Sequence, residues 1–255
     1  MPSAIRTDRE LSSLGLVTIL VESQGNDDSK LDAFLWKTFP DNGWFVCTGT
    51  GLPIPPSRGI PHGALIGVDG TILWAGNPNA GKKQIETLVE QELEKLKKGW
   101  GATPDARKVR ALLFGKGDYA GAMAIAVAIN DEAERKLLTK EIEDRRAGAT
   151  GAIAELKRQG RYIDAQERAR QLARAVGDRA EWVEAAKLEV DAFATPQAKE
   201  LLALDKKLEK VESQLRERKD ETAQKTLVSM LKNAPESPVS ARAKTLLAAL
   251  QAKVE

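Results

Sequence analysis

The composition of the chain changes near residue 80, and this change limits the folds that the chain can adopt. Residues 1 to about 79 are dense in glycine, proline and aromatic residues, which is typical of strands joined by turns. From residue 80 onward the chain is rich in Ala, Leu, Glu, Lys and Arg, which favour helices. Because 255 residues suffice for two separate cores, we predict an α/β domain over residues 1–100 and an all-α domain over 101–255.

The first domain is predicted to contain a buried strand, a hairpin and a helix that follows them. Leu16–Val21 is almost entirely apolar and mostly β-branched, which is typical of a strand buried on both faces of a sheet. The dipeptide Asp69-Gly70 separates two apolar runs, and this is a strong hairpin signal. Apolar residues at helical spacing predict a helix over about 80–98. Two further helices, over 7–14 and 30–39, and a short extended segment over 43–46 are also predicted.

The segment 58–76 contains Gly59-Ile60-Pro61, an apolar strand, the Asp69-Gly70 turn, a second strand and a glycine. In this order it resembles thioredoxin-like proteins of the TlpA and redoxin type, and the resemblance extends over about residues 5–98. It implies an α/β thioredoxin-like domain with a central mixed sheet. It also implies a cis proline whose neighbouring backbone binds extended substrate, so that the substrate-binding edge comprises Ile60, Pro61 and His62.

A complete domain of that family begins with an interior strand and a Trp-Cys-x-x-Cys motif, and this sequence contains neither. The resemblance therefore implies a relative of thiol–disulfide oxidoreductases that is inactive in dithiol exchange as written. It would be an enzyme only if an upstream Cys-x-x-Cys existed. Two explanations fit this resemblance: the chain is truncated, which we favour, or residues 43–47 or a partner's strand take the place of the first strand. A third alternative is an unrelated α/β domain in which the hairpin occurs by chance. A truncated chain could have lost an export signal, and the protein would then be exported or periplasmic.

Cys47 is the single cysteine of the chain and therefore the candidate redox residue. No lysine, arginine or histidine lies within three residues of it to lower the pKa of its thiol. We therefore favour a small, half-buried apolar residue over a reactive thiol. A single cysteine and a single histidine, His62, exclude a multi-cysteine or histidine-rich metal site, and we predict no metal and no cofactor.

The segment from Gly76 to Lys83 has a superficial likeness to a phosphate-binding loop. Gly76 and Gly81 are five residues apart and Lys82 follows, as such a loop requires. Lys83, however, stands where a serine or threonine would bind magnesium. We therefore predict a simple turn between a strand and a helix.

The second domain contains a pattern that occurs twice. Gly117-Asp118-Tyr119 and Gly160-Arg161-Tyr162 each begin a Gly-x-Tyr-x-x-Ala motif, and Asn233–Ala241 suggests a third unit. This resembles degenerate tetratricopeptide-type repeats. An apolar stripe on a further predicted helix indicates a helix packed on one neighbour or a short coiled coil, and its members are Leu204, Leu208, Val211 and Leu215. A helical repeat that binds peptides and a simple helical bundle remain equally open.

Composition restricts the class of function. The chain has 39 Lys and Arg against 37 Asp and Glu, and the two signs are interleaved, which argues against a nucleic-acid partner. We expect a soluble protein, since no apolar run reaches the ~18 residues of a membrane-spanning helix. The alternative to a thiol–disulfide oxidoreductase is a non-catalytic interaction or scaffold protein. Its thioredoxin-like edge and helical tail would bind a protein or peptide partner.

Overall fold

The computed structural model describes residues 16–21, 45–47, 62–217, 219–232 and 234–251. The chain divides into two compact units, and the described residues of the first lie within 16–139 and those of the second within 140–251. The strands are β1 (Ile19–Val21), β2 (Phe45–Cys47), β3 (Gly63–Ile66) and β4 (Ile72–Gly76). The helices of the first unit are α1 (Lys82–Lys98), α2 (Pro104–Arg110) and α3 (Tyr119–Val127), and α4 (Glu132–Arg158) begins there and continues into the second. The remaining helices are α5 (Tyr162–Ala175), α6 (Ala180–Asp191), α7 (Pro196–Arg216), α8 (Asp220–Leu231) and α9 (Pro238–Gln251).

The predicted hairpin is present. Strands β3 and β4 are antiparallel, with Gly63 opposite Gly76 and Ile66 opposite Ile72. The Gly67 N–H donates to the Thr71 carbonyl over 2.8 Å, and Gly70 has a φ of +84°, which glycine adopts without steric cost. The turn is held against α1, because the Val68 N–H donates to Glu92 over 2.8 Å.

The predicted central mixed sheet is wrong. Most described residues are helical, and the described strands form two separate pairs, β1 parallel to β2 and β3 antiparallel to β4. Ile66 and Ile72, which a central sheet would cover, are 61% and 49% exposed. The reason is that the resemblance depended on the hairpin and the helix after it, and both are local structures. Neither of them determines which distant strands pair.

The prediction for Leu16–Val21 is also partly wrong. A strand forms, but it covers only Ile19–Val21 and pairs in parallel with β2, Ile19 facing Phe45. Ile19 is 57% exposed, so the strand is not buried on both faces. β-Branched composition predicts an extended backbone, whereas burial depends on neighbouring strands that composition does not specify.

The core of the first unit is helical. Helix α1 packs against α2 and against a π-helical turn, Ala111–Lys116, that continues α2. Trp100 and Phe114 lie 4.9 Å apart between their ring centroids at this contact. Helix α2 begins at a strong N-cap, since Thr103 accepts the Ala106 N–H and Pro104 occupies the first helical position.

The second unit is a bundle in which α7 is central. The predicted apolar stripe is buried, and α7 contacts α5, α8 and α9. The helix therefore packs on several neighbours of its own chain, and not on a single one. The buried cluster comprises Leu201, Leu204, Leu208, Val211 and Leu215 of α7, Ala223, Leu227 and Met230 of α8, and Val239, Ala243 and Leu246 of α9.

The two Gly-x-Tyr motifs have the same local structure. Gly117 and Gly160 both have a left-handed backbone, with φ of +67° and +72°, and each lies two residues before the first residue of a helix, α3 and α5 respectively. The alanines that close the motifs, Ala122 and Ala165, are fully buried. The motif thus marks a sharp turn followed by a closely packed helix in both places. A tetratricopeptide-type repeat stays a prediction.

Candidate functional site

The predicted substrate-binding edge falls mostly outside the described residues, which include neither Ile60 nor Pro61. His62 is half-buried just before β3, and both of its ring nitrogens are buried without a hydrogen-bond partner among the described residues. Cys47 ends β2 with its backbone opposite Val21. Roles for these four residues in substrate binding or redox chemistry stay predictions.

The turn between β4 and α1 forms as predicted. The Ala80 and Gly81 N–H groups donate to the Asn77 carbonyl over 3.0 and 3.1 Å, and the Asn79 N–H donates to Asn77 Oδ1. Three N–H groups of this segment, those of Asn79, Ala80 and Gly81, are therefore bonded within the turn and are not free to contact a phosphate. Gly81 is required because a Cβ there would lie 2.4 Å from the Trp74 ring.

The second unit contains an open groove with a volume of about 600 Å³. Its two sides are α7 and α8, and the segment that follows α8 closes one part of it. The residues that line it are Glu200, Ala203, Leu204, Lys207 and Lys210 of α7, Thr226, Ser229 and Met230 of α8, and Ala234 and Pro235. We refer to this surface as the α7–α8 groove.

The lining of the groove follows from the two faces of α7. Thr195 caps the helix by accepting the Ala198 N–H, and Pro196 takes the first helical position. Residues 200, 203, 204, 207 and 210 then recur at helical spacing along one side of the helix. Leu201, Leu208 and Val211 project into the core instead. A single sequence segment thus supplies both a core and a binding surface.

The groove has an apolar floor and a polar rim. Leu204 and Met230 form the floor and are 8% and 7% exposed, because both also belong to the core cluster. Lys207 and Lys210 are exposed at the rim, and neither forms an ion pair within the described part of the chain. Thr226 Oγ1 donates to the Thr222 carbonyl over 2.8 Å, which fixes its side chain at the edge.

The other side of α7 is held by a buried polar cluster. Asp205 Oδ2 accepts the Ile163 N–H over 2.9 Å, and Asp205 Oδ1 accepts from Arg242 Nη1 over 3.1 Å. Arg242 also donates to Glu212 and to the Gly160 carbonyl. The cluster therefore joins α5, α7 and α9 and the turn before α5. It fixes α7 from the side opposite the groove.

Burial changes the acidity of this cluster. Desolvation raises the pKa of Asp205, although the hydrogen bond from Ile163 and the charge of Arg242 act against it. The pKa of Glu209 is also raised, by burial first and then by the neighbouring carboxylates, of which Asp205 contributes most. The raised pKa of Asp205 means that α7 carries, on the side away from the groove, a buried carboxyl group that resists ionisation, whereas Glu209 is exposed.

Sequence reasoning missed the groove. The run from Lys206 to Lys210 has interleaved charges, which is typical of a solvated helix face, and its lysines are exposed around a fully buried Leu208. One signal was available, since Ala203 and the two rim lysines share one side of the helix. Only the position of α8 turns that side into a groove.

The chemistry of the groove suits binding. Its lining combines ammonium, carboxylate and hydroxyl groups with an apolar floor. Among the residues that the structure describes, no group of three or more His, Cys, Asp or Glu side chains could hold a metal ion.

None of the described helices is long and apolar enough to cross a bilayer.

No protein-family model, curated protein or solved structure matches the chain.

Proposed function

We propose that this chain is a non-catalytic interaction protein whose second unit binds a protein partner in the α7–α8 groove. The observation that carries the proposal is the concave apolar floor of Leu204 and Met230 beneath an exposed polar rim. Recognition surfaces commonly combine these two features, because the floor supplies affinity and the rim supplies orientation.

The packing of α7, which forms one wall of the groove, supports a role of the groove in binding. Helix α7 is packed on three other helices and is bonded through Asp205 to α5 and α9. A surface that is fixed before the partner arrives loses little conformational entropy on binding. The groove is therefore suited to a partner that adapts to it.

Thiol–disulfide exchange stays the alternative that the sequence predicts for a polypeptide with an upstream Cys-x-x-Cys. The interaction proposal uses neither Cys47 nor the residues around Pro61, so the two functions can be tested independently.

Selection of peptides tests the proposal. A random peptide library displayed on phage would be selected on the full chain, and the affinities of recovered peptides would be measured by fluorescence anisotropy. The variant Ala203→Trp places an indole in the groove, whereas Ala185→Trp places one on the exposed side of α6 and serves as the matched control.

We expect recovered peptides to bind the native chain and the Ala185→Trp control alike and to lose about tenfold or more in affinity for Ala203→Trp. Equal affinity for all three proteins, or failure to recover any binding peptide, would contradict the proposal. Circular dichroism melting curves of both variants check that the helices remain folded.

A further inference from the structure

The α7–α8 groove has unlike charges at its two ends. Glu200 lies nearer the start of α7, and Lys207 and Lys210 lie about two and three turns further along the same side. From residue 200 to residue 210 the helix rises ~15 Å, at about 1.5 Å per residue. The end with the lysines therefore attracts a carboxylate, and the apolar floor lies between the two ends.

The walls of the groove also restrict the shape of the partner. Both sides are helices, whose backbone N–H and C=O groups are already bonded within each helix. The described residues of the two helical walls thus offer no strand edge on which an extended peptide could pair its backbone. A partner that satisfies its own backbone bonds, as a helix does, can enter the apolar floor without leaving polar groups unpaired.

We propose that the α7–α8 groove binds an acidic amphipathic helix, with apolar side chains on Leu204 and Met230 and carboxylates on Lys207 and Lys210. This inference rests on the proposed function and adds the chemistry of the partner. The two lysines are three residues apart on α7, so one carboxylate per turn of the partner helix reaches each ammonium group.

Three labelled peptides of about 18 residues test the inference, since shorter helices are marginal in water. The first is an amphipathic helix of Leu, Ala and Glu. The second replaces every Glu by Gln and the third replaces every Glu by Lys. Anisotropy with the full chain should give the tightest binding for the Glu peptide, about tenfold weaker binding for the Gln peptide and weaker still for the Lys peptide.

Charge reversal provides the decisive comparison. The double variant K207E/K210E should lose affinity for the Glu peptide and gain affinity for the Lys peptide. The control K199E/K206E makes the same change in net charge at two exposed lysines of α7 outside the groove lining, and it should retain the preference for the Glu peptide. Raising the salt concentration should weaken the binding of the Glu peptide alone, because salt screens its ion pairs and does not affect contacts with the apolar floor.

The outcomes separate the two proposals. Equal binding of the Glu and Gln peptides, or an unchanged preference in K207E/K210E, overturns the acidic-helix inference. The interaction proposal still stands if Ala203→Trp abolishes the binding of library peptides. A dimer of the native chain that Ala203→Trp dissociates would identify a second copy as the occupant and would also overturn the inference. No binding of any of the three peptides likewise overturns it.

Discussion

Replacing Gly160 by alanine should destabilise the second unit more than the equivalent change at Gly117 destabilises the first. Both glycines have a left-handed backbone, so each alanine is strained by ~1–2 kcal/mol and recovers ~0.4–1 kcal/mol through the unfolded chain. These two contributions cancel in the comparison. The difference between the variants then reports on the surroundings of each Cβ.

Those surroundings differ. A Cβ on Gly160 would lie 2.5 Å from the Pro238 carbonyl oxygen and 2.8 Å from the Val239 nitrogen, which are backbone atoms at the start of α9. A Cβ on Gly117 would meet nothing within 4 Å. The start of α9 must therefore move in Gly160→Ala, at an additional cost of ~1–3 kcal/mol by analogy with overpacked cores.

Urea denaturation followed by circular dichroism would give the free energies of unfolding, and hydrogen exchange of residues 238–251 would localise the effect. We expect Gly160→Ala to speed exchange in α9, because that helix must shift and its bond from Arg242 to the Gly160 carbonyl weakens. Gly117→Ala should leave exchange in α9 unchanged. If the two variants lost equal free energies of unfolding, the reasoning from contact distances would be refuted.

The polar cluster behind α7 gives two further predictions. Arg242→Met should lower the free energy of unfolding, measured in urea, by ~3–5 kcal/mol, because it leaves the buried Asp205 carboxylate without its cation. Adding Asp205→Asn should recover part of this loss. A double variant no more stable than Arg242→Met would contradict the prediction. Because the pKa of Asp205 is raised in the folded state, the folded protein binds the proton of this carboxyl group more tightly than the unfolded chain does. The contribution of Asp205 to the free energy of unfolding is therefore full below pH ~4 and is lost as the pH rises through the folded-state pKa. The stability of Asp205→Asn relative to the native chain should therefore increase between about pH 4 and pH 7, and a constant difference in urea denaturation would show that the carboxyl is not perturbed.

Local signals in the sequence predicted the elements well. The Asp69-Gly70 turn produced the hairpin because its backbone requirement is met within four residues. The stripe of Leu204, Leu208, Val211 and Leu215 identified the buried side of α7 because helical periodicity is a property of one segment. In each case the physical cause lies within the segment that carries the signal.

Long-range features were not predictable in the same way. Asp205 stands next to two lysines in the sequence and has the pattern of a solvated residue, yet it is buried because Arg242 reaches it from 37 residues further along the chain. The prediction of a central mixed sheet was wrong for the same reason, since strand pairing depends on distant segments. The groove could not be predicted from α7 alone, because it forms only where α8 lies beside Ala203 and Lys207. The periodicity of α7 does not indicate the position of α8.

Because α7 supplies both the floor of the groove and part of the core, occupancy of the groove and folding of the second unit are thermodynamically linked. A partner that binds only the folded bundle adds to its stability by mass action, by ~2.7 kcal/mol when its concentration is about 100 times the dissociation constant. Leu204 and Met230 contribute to both processes, so a change at either residue alters stability and affinity together. Lys207 and Lys210 are exposed and outside the core cluster, so the specificity of the groove can vary while the fold is retained.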